Sequence, residues 1–435
     1  MVMLCDGRMV CGCADPYGKR VLGDAKTDSV SAIWTGSRAA TLRQDLNAGG
    51  SKFCGDCALK LPLKKEQPPP QRGLDVPSLP SRLYIECTAA CNISCDQACC
   101  APETGITRTR KAGMLDFDLF RRVVDEAGPS LVRIDFFNYG EAFLHKRAIE
   151  MCEYIKLRFP QIYLYTSTNG LAFNQDQVRR LVHSGIDEVT FSIDGATQAS
   201  YVVYRKRGNL DKALANLRAA VDEKQRAARD VPFINWRYIL FGHNDSDAEM
   251  QLARTIAADV GVDRLCWELT DHPENMFSRR FLAGSPDLAV IKHEIWDDNN
   301  LGNAIPGATP RAQIEVKGPF PGLPALGRPG RSIMLKTMVR NLSTRPFPAR
   351  ASYGRRLVRL GAQLCDQDGR LLNRDYERAW LPETLSPGAT AQIPMTITAP
   401  DKPGRYKLKF DLVSEGIDWF EACGSPTTMK TLVVI

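Results

Sequence analysis

The run Leu83-Tyr84-Ile85-Glu86-Cys87-Thr88-Ala89-Ala90-Cys91-Asn92-Ile93-Ser94-Cys95-Asp96-Gln97-Ala98-Cys99-Cys100 sends a short apolar strand straight into a loop crowded with cysteines. Several thiols on one short loop can converge on a single metal cluster. Three thiolates leave one iron of such a cluster open to another ligand, whereas four close it. Parallel barrels place their reactive groups in such loops, at the C-terminal ends of strands. The competing reading of the same residues is a zinc loop or a set of buried thiols.

Outward from this strand, residues 81–285 alternate short apolar runs with amphipathic segments. The runs are Leu83–Ile85, Val132–Phe137, Ile162–Tyr165, Glu188–Ile193, Phe233–Leu240 and Arg264–Leu269. Between them, Asp116–Ala127, Lys146–Arg158, Gln175–Ser184, Leu210–Ala228 and Asp247–Val260 carry helical periodicity. Six strands with five helices between them predict a partial (βα)6 TIM-like barrel built on a parallel sheet. Upstream, Leu61–Pro80 is rich in Pro and charge and reads as an extended linker. After Arg331, alternating strands are parted by Gln367-Asp368-Gly369, Ser386-Pro387-Gly388 and Asp401-Lys402-Pro403-Gly404, the pattern of an all-β antiparallel sandwich. The expected organisation is therefore multi-domain: a cysteine-rich module at 1–62, a linker at 63–80, the barrel at 81–285, a connecting segment at 286–330 and the sandwich at 331–435.

A chain of 435 residues with 44% hydrophobic and 25% charged content is neither disordered nor collagen-like, and its length suits two to four domains. No run reaches the ~18 apolar residues of a membrane span. Asp6 interrupts the N-terminus too early for a secretory signal, so a cytoplasmic protein is expected. Ten of the fourteen cysteines lie within the first hundred residues, a density that in a reducing compartment points to metal or cluster ligands. The net charge of +7 belongs to the C-terminal segment, where residues 316–435 carry 18 basic and 10 acidic side chains. Scattered arginines without interleaved aromatics read as a solvated surface, and no nucleic-acid partner is expected.

Three motifs follow the cysteine loop at successive strand ends, Asn138-Tyr139-Gly140-Glu141, Thr166-Ser167-Thr168-Asn169-Gly170 and Ser192-Ile193-Asp194-Gly195, and Tyr204-Arg205-Lys206-Arg207-Gly208 comes after the last of them. With Cys91-x3-Cys95, this series resembles that of a radical S-adenosylmethionine (SAM) enzyme. That family's signature is Cys-x3-Cys-x2-Cys, and here position 98 is Ala, so the third ligand is Cys99 or Cys100. Cys99 needs the smaller loop adjustment and is preferred, while Cys87 reads as a strand-end residue. The resemblance implies a [4Fe–4S] cluster on Cys91, Cys95 and Cys99 (or Cys100), with the SAM ammonium received at Gly140 and Glu141. It further implies that Ser167 and Asn169 contact ribose or carboxylate, that Ser192 and Asp194 at the fourth strand end also bind the cofactor, and that Arg205 rather than Arg207 pairs with the cofactor carboxylate. Trp236, Arg237, Tyr238, Trp267 and Glu268 are candidates to line the adenine or substrate side, the competing reading being that large aromatics in strands are core residues.

Residues 1–62 hold Cys5, Cys11 and Cys13 around a Gly-turn hairpin, then Ala32-Ile33-Trp34 and finally Cys54-Gly55-Asp56-Cys57. This arrangement is similar to the SPASM/twitch auxiliary module of radical SAM enzymes, although it precedes the barrel here. The resemblance implies an auxiliary [4Fe–4S] cluster held by four of the five thiols, with Cys54 and Cys57 as the firmest pair; a zinc knuckle fits the same residue types. Reduction by a donor such as flavodoxin or ferredoxin, cleavage of SAM to a 5′-deoxyadenosyl radical and hydrogen abstraction are what the family implies. The C-terminal sandwich resembles domains appended to proteins of bacterial surface-polysaccharide pathways, through Leu381-Pro382, Leu385-Ser386-Pro387-Gly388 and the run from Asp411 to Phe420. Trp419 is the candidate to stack on a sugar, and the competing reading is that Trp419-Phe420 fills the core of the sandwich. A sugar or sugar nucleotide is thus the first choice of substrate and a peptide undergoing crosslinking the second. The contrasting class is a non-catalytic, zinc-containing carbohydrate-binding or scaffold protein.

Overall fold

The structure, a computed structural model, describes residues 1–12, 15, 17–47, 76–95, 113–271, 273–297, 300–317, 323–350 and 355–435. Cys13, Cys54, Cys57, Cys99, Cys100 and most of the expected linker lie outside the described residues. The chain divides into two compact units, one of Met1–Met250 with Thr270–Phe277, the other of Gln251–Leu269 with Ser278–Ile435.

In the first unit the N-terminal segment forms a hairpin ribbon, β1 (Val2–Met3), β2 (Arg8–Val10) and β3 (Val21–Asp24), followed by helices Val30–Thr35 and Ser37–Asn47. The βα series then runs through β4 (Arg82–Ile85), the two-residue β5 (Ser94–Cys95), β6 (Arg133–Asp135), β7 (Tyr163–Thr168), β8 (Glu188–Ser192), the two-residue β9 (Arg205–Lys206) and β10 (Phe233–Ile239). The strands of this unit lie in the order β10-β8-β7-β6-β4-β1-β2-β3, and every neighbouring pair from β10 to β1 is parallel. Val2 and Met3 pair with Tyr84 and Ile85, so the cysteine-rich ribbon continues the barrel sheet beyond its first strand. The expected sixth strand forms as β11 (Arg264–Glu268) and belongs to the second unit.

Local chemistry explains why these helices start where they do. Asp116 accepts from the Leu119 N–H and opens Phe117–Ala127, which buries Leu119, Phe120, Val123, Val124 and Ala127 as one stripe. Asn174 and Gln177 form a reciprocal capping box before Gln175–His183, and Thr197 with Ser200 does the same before Gln198–Tyr204. No helix among the described residues is long and apolar enough to cross a membrane.

The second unit carries two sheets: β12 (Ala312–Lys317), β14 (Ser332–Asn341) and β17 (Thr390–Thr398) in one, and β13 (Ala325–Gly327), β15 (Val358–Cys365), β16 (Leu371–Trp380), β18 (Gly404–Ser414) and β20 (Thr428–Val434) in the other, with β19 (Asp418–Trp419) against β18. All pairings are antiparallel except β13 with β20. Ile314, Leu335 and Ile393 from one sheet share a core with Leu360, Leu408 and Phe410 from the other, which makes a sandwich. Two of its strands, β12 and β13, arise within 286–330, the stretch read as connecting. In β12 Ala312 and Ile314 point inward while Gln313 and Glu315 point out, an alternation masked in the sequence by flanking Pro and Gly. Trp419 does not face solvent: it is buried, its ring would meet a Cβ at Gly361 at 2.6 Å, and the Arg378 guanidinium lies 4.3 Å from its centroid. The sugar-stacking expectation therefore gives way to a packing role.

Candidate active site

The C-terminal ends of β4, β6, β7 and β8 bring together most of the residues singled out in the sequence. Gly140 follows β6 at φ +83°, and a Cβ there would come 2.4 Å from the Thr88 carbonyl and 2.7 Å from that of Ala90. Only glycine lets this backbone slide beneath the cysteine loop, and the Glu141 N–H then bonds the Ala90 carbonyl at 2.8 Å. The Glu141 carboxylate is buried and accepts the Thr168 hydroxyl and the Asn169 N–H, both at 2.8 Å. Burial pushes this carboxyl above the usual range, while the donors from Asn169, Thr168 and Phe143 and the charge of Arg205 hold it down.

Both described cysteines of the proposed triad receive directed donors. Asn169 Nδ2 reaches Cys91 Sγ at 3.7 Å and Asn92 Oδ1 at 2.8 Å, and Arg205 Nη1 reaches Cys95 Sγ at 3.4 Å. Arg205 is buried, its Nε donates to Asp194 Oδ2 at 2.5 Å, and β5 and β9 pair Cys95 with Arg205 directly. Asp194 is fully buried and its other oxygen accepts the Ile239 N–H at 2.8 Å. Arg207 is exposed and bonds the Ser94 hydroxyl. Burial raises the Cys95 thiol, and Arg205 opposes that rise. Ser167 and Ser192 hydroxyls lie 3.1 Å apart, and Arg237 Nη2 donates to Ser192 at 3.1 Å. Asn92 and Thr168 belong to this network although the sequence reading assigned them no role; their adjacency to Cys91 and Asn169 is the only signal they offered.

Trp236 and Tyr238 are buried, and the Trp236 indole donates to the Ile193 carbonyl at 2.8 Å, so both serve the wall rather than its lining. Trp267 in the second unit is likewise buried, donating to Glu294 at 2.6 Å. In the N-terminal ribbon Cys5 is buried in the β1–β2 turn and its N–H meets Glu86 Oε1 at 3.2 Å, while Cys11 is half-buried beyond β2. No group of three or more metal-ligating side chains assembles among the described residues.

The two faces of the barrel sheet differ sharply. Leu83, Ile134, Leu164, Val189 and Ile234 are buried and apolar, on the face that βα helices cover. Most alternate positions are polar, Phe233 and Ile239 excepted: Arg133 pairs with Asp135 at 2.7 Å, Tyr165 donates to Thr190 at 3.1 Å, and Asn235 donates to Glu188 at 2.6 Å.

With this geometry in place, comparison with known proteins is decisive for the class. The Radical SAM superfamily profile matches residues 85–255, and that of SPASM, an iron–sulfur cluster-binding domain, matches residues 1–58. The chain is 33% identical over 217 residues to a tungsten-containing aldehyde ferredoxin oxidoreductase cofactor-modifying protein of Pyrococcus furiosus, covering 49% of this chain and 58% of that one. It is 31% identical over 245 residues to a GTP 3′,8-cyclase of a Synechococcus species, covering 53% of this chain and 67% of the relative. A second GTP 3′,8-cyclase, from Desulforamulus reducens, is 25% identical over 140 residues, 32% of this chain, and the chain spans 42% of its length. Among solved structures, Streptococcus suis SuiB bound to S-adenosylmethionine superposes with a TM-score of 0.35 at 13% identity, over 44% of this chain and 40% of that one. A CARDB domain from Pyrococcus furiosus gives a TM-score of 0.19 at 15% identity, over 29% of this chain and 95% of that one.

The chain belongs to the radical SAM superfamily and carries an N-terminal SPASM iron–sulfur domain. It is accordingly an enzyme whose cofactors are SAM, a radical SAM [4Fe–4S] cluster and auxiliary SPASM iron–sulfur chemistry. The site fits these groups: two thiols are each approached by a side-chain donor, a glycine cradle admits the loop above it, and a buried carboxylate waits beside them. The zinc-scaffold reading falls with this assignment.

Proposed function

We propose that the enzyme acts by hydrogen abstraction on a polar small molecule, a sugar or sugar nucleotide, held against the polar face of the barrel sheet. When bound, the cluster and SAM together supply a 5′-deoxyadenosyl radical. The residues that would hold them are Cys91, Cys95 and Cys99 or Cys100 for the cluster, and Glu141, Asn169, Ser192 and Arg205 around SAM. Glu141 is placed to accept an ammonium, because its carboxylate is already fixed by two N–H and O–H donors and needs no reorganisation. Arg205 is held by Asp194, which fixes the guanidinium plane at the edge of the cysteine loop. Cys54, Cys57 and two of Cys5, Cys11 and Cys13 would hold the auxiliary cluster.

The observation that carries the substrate reading is the row of polar side chains from Arg133 and Asp135 to Ser192 and Arg237, where an apolar barrel filling would otherwise stand. Relatives named for a GTP 3′,8-cyclisation add support for a nucleotide-bearing substrate. The test is anaerobic reconstitution, iron and sulfide counting, and detection of 5′-deoxyadenosine after dithionite reduction with SAM. Nucleoside diphosphate sugars deuterated on the sugar carbons are then added singly. About eight irons, deoxyadenosine release and deuterium transfer into it support the proposal. Stoichiometric zinc without iron overturns the site, and deuterium transfer from a peptide but from no sugar nucleotide overturns the substrate class.

A further inference from the structure

Tyr201 lies on helix Gln198–Tyr204, one turn before Arg205, whose N–H bonds the Tyr201 carbonyl. The residue is fully buried, and glycines admit it from both sides: a Cβ at Gly195 would stand 2.5 Å from its Cα, and one at Gly208 would stand 2.6 Å from its ring. Its hydroxyl is buried and has no hydrogen-bond partner among the described residues. A hydroxyl in that position costs about 1–3 kcal/mol relative to one that is satisfied, and phenylalanine would fill the same space without that cost. The surroundings are those of the cysteine loop. Arg205 joins the Tyr201 helix to Cys95 and Asp194, and burial foremost raises the phenol, with Arg205 opposing and Asp194, Cys95 and Cys91 adding to the rise.

We propose that Tyr201 is a further residue of the cofactor site, whose hydroxyl donates a hydrogen bond to a sulfur of the cluster held by Cys91 and Cys95. A donor to cluster sulfur stabilises the more negative, reduced state and so raises the reduction potential. This inference rests on Cys91 and Cys95 being cluster ligands. Tyr201 acts on the electron that starts the reaction and touches no substrate.

Tyr201→Phe removes only the hydroxyl. Metal-free Tyr201→Phe is expected to unfold at the same or a higher urea concentration than wild type, because an unsatisfied group has been deleted. Reconstituted Tyr201→Phe is expected to hold wild-type iron, while an EPR-monitored redox titration shows a more negative midpoint for the signal that changes when SAM is added. Wild-type iron with an unchanged midpoint overturns the inference, as does a metal-free variant less stable than wild type, which marks a structural role. Iron retained in full by Cys91→Ala and Cys95→Ala overturns instead the ligand reading beneath it.

Discussion

Replacing Glu141 separates its structural duty from its charge. Its carboxylate satisfies two close buried donors, the Thr168 hydroxyl and the Asn169 N–H, each at 2.8 Å, with the Phe143 N–H farther off at 3.4 Å. Glu141→Ala leaves both close donors without an acceptor, at about 1–3 kcal/mol each, so the metal-free protein should lose about 2–6 kcal/mol. Glu141→Gln behaves differently. Its amide oxygen can keep the Asn169 N–H, and its NH2 can turn toward Thr168 Oγ1, which already accepts the Gly170 N–H and has a second lone pair. The buried Thr168 O–H is then left without its acceptor, so the metal-free protein should lose about 1–3 kcal/mol, less than in Glu141→Ala. The loss appears in SAM binding, where a charge-assisted bond to an ammonium becomes a neutral one; the difference of about 1–1.5 kcal/mol corresponds to a dissociation constant about 5- to 13-fold larger. Urea unfolding of metal-free protein and anaerobic equilibrium dialysis of SAM against reconstituted protein measure the two effects. Wild-type SAM affinity in Glu141→Gln would refute the ammonium role, and a wild-type unfolding midpoint in Glu141→Ala would refute the donor accounting.

Gly140→Ala places a methyl 2.4 Å from the Thr88 carbonyl at φ +83° and should lower both stability, by about 2 kcal/mol or more, and iron retention after reconstitution; full iron content would contradict the cradle. Arg205→Lys cannot serve Asp194 and Cys95 together through a single ammonium on a flexible stem, so SAM cleavage should fall at least about tenfold while the charge is conserved. Trp419→Ala should cost about 3–5 kcal/mol through the cavity left at Gly361, read as a lower unfolding midpoint with no specific glycan effect. Asp411 is buried in the sandwich and pushed up to about 7 by burial, with the Glu421 and Leu412 N–H groups opposing. The folded form thus binds a proton the unfolded chain releases near pH 4, so stability falls as pH rises toward 7. Between pH 5 and 8 this group removes about 3 kcal/mol, and Asp411→Asn should flatten that slope in urea titrations.

What the sequence revealed was local in origin. The alternation of apolar runs with capped helices is written in neighbouring residues, as at Asp116 and Asn174, and the strands and helices of the barrel fall close to where that pattern puts them. The site was legible for the same reason, since its motifs stand at consecutive strand ends and a parallel sheet aligns those ends. Long-range decisions were not legible. Nothing near Val2 announces a parallel pairing with Tyr84 eighty residues on, and nothing in Asp418-Trp419 says that the indole turns inward onto Gly361. Tyr201 drew no attention in the sequence because its meaning depends on Gly195, Gly208 and Arg205 converging around it.

The cysteines themselves show how position converts one residue type into different chemistry. Cys87 and Cys152 are fully enclosed; burial pushes both thiols up, and Glu86 and Glu141 push Cys87 further, so neither is disposed to become a thiolate. Cys95 is also buried and raised, yet a guanidinium is aimed at its sulfur, and Cys91 is half-buried with an amide directed at it. A donor pointed at sulfur stabilises negative charge there, which is what a ligand to a cluster must carry. The distinction between structural and cofactor-bearing thiols in this barrel thus follows from which groups face the sulfur. It supports the proposed assignment, in which Cys87, although it lies only four residues from Cys91, is part of the wall while Cys91 is a cluster ligand.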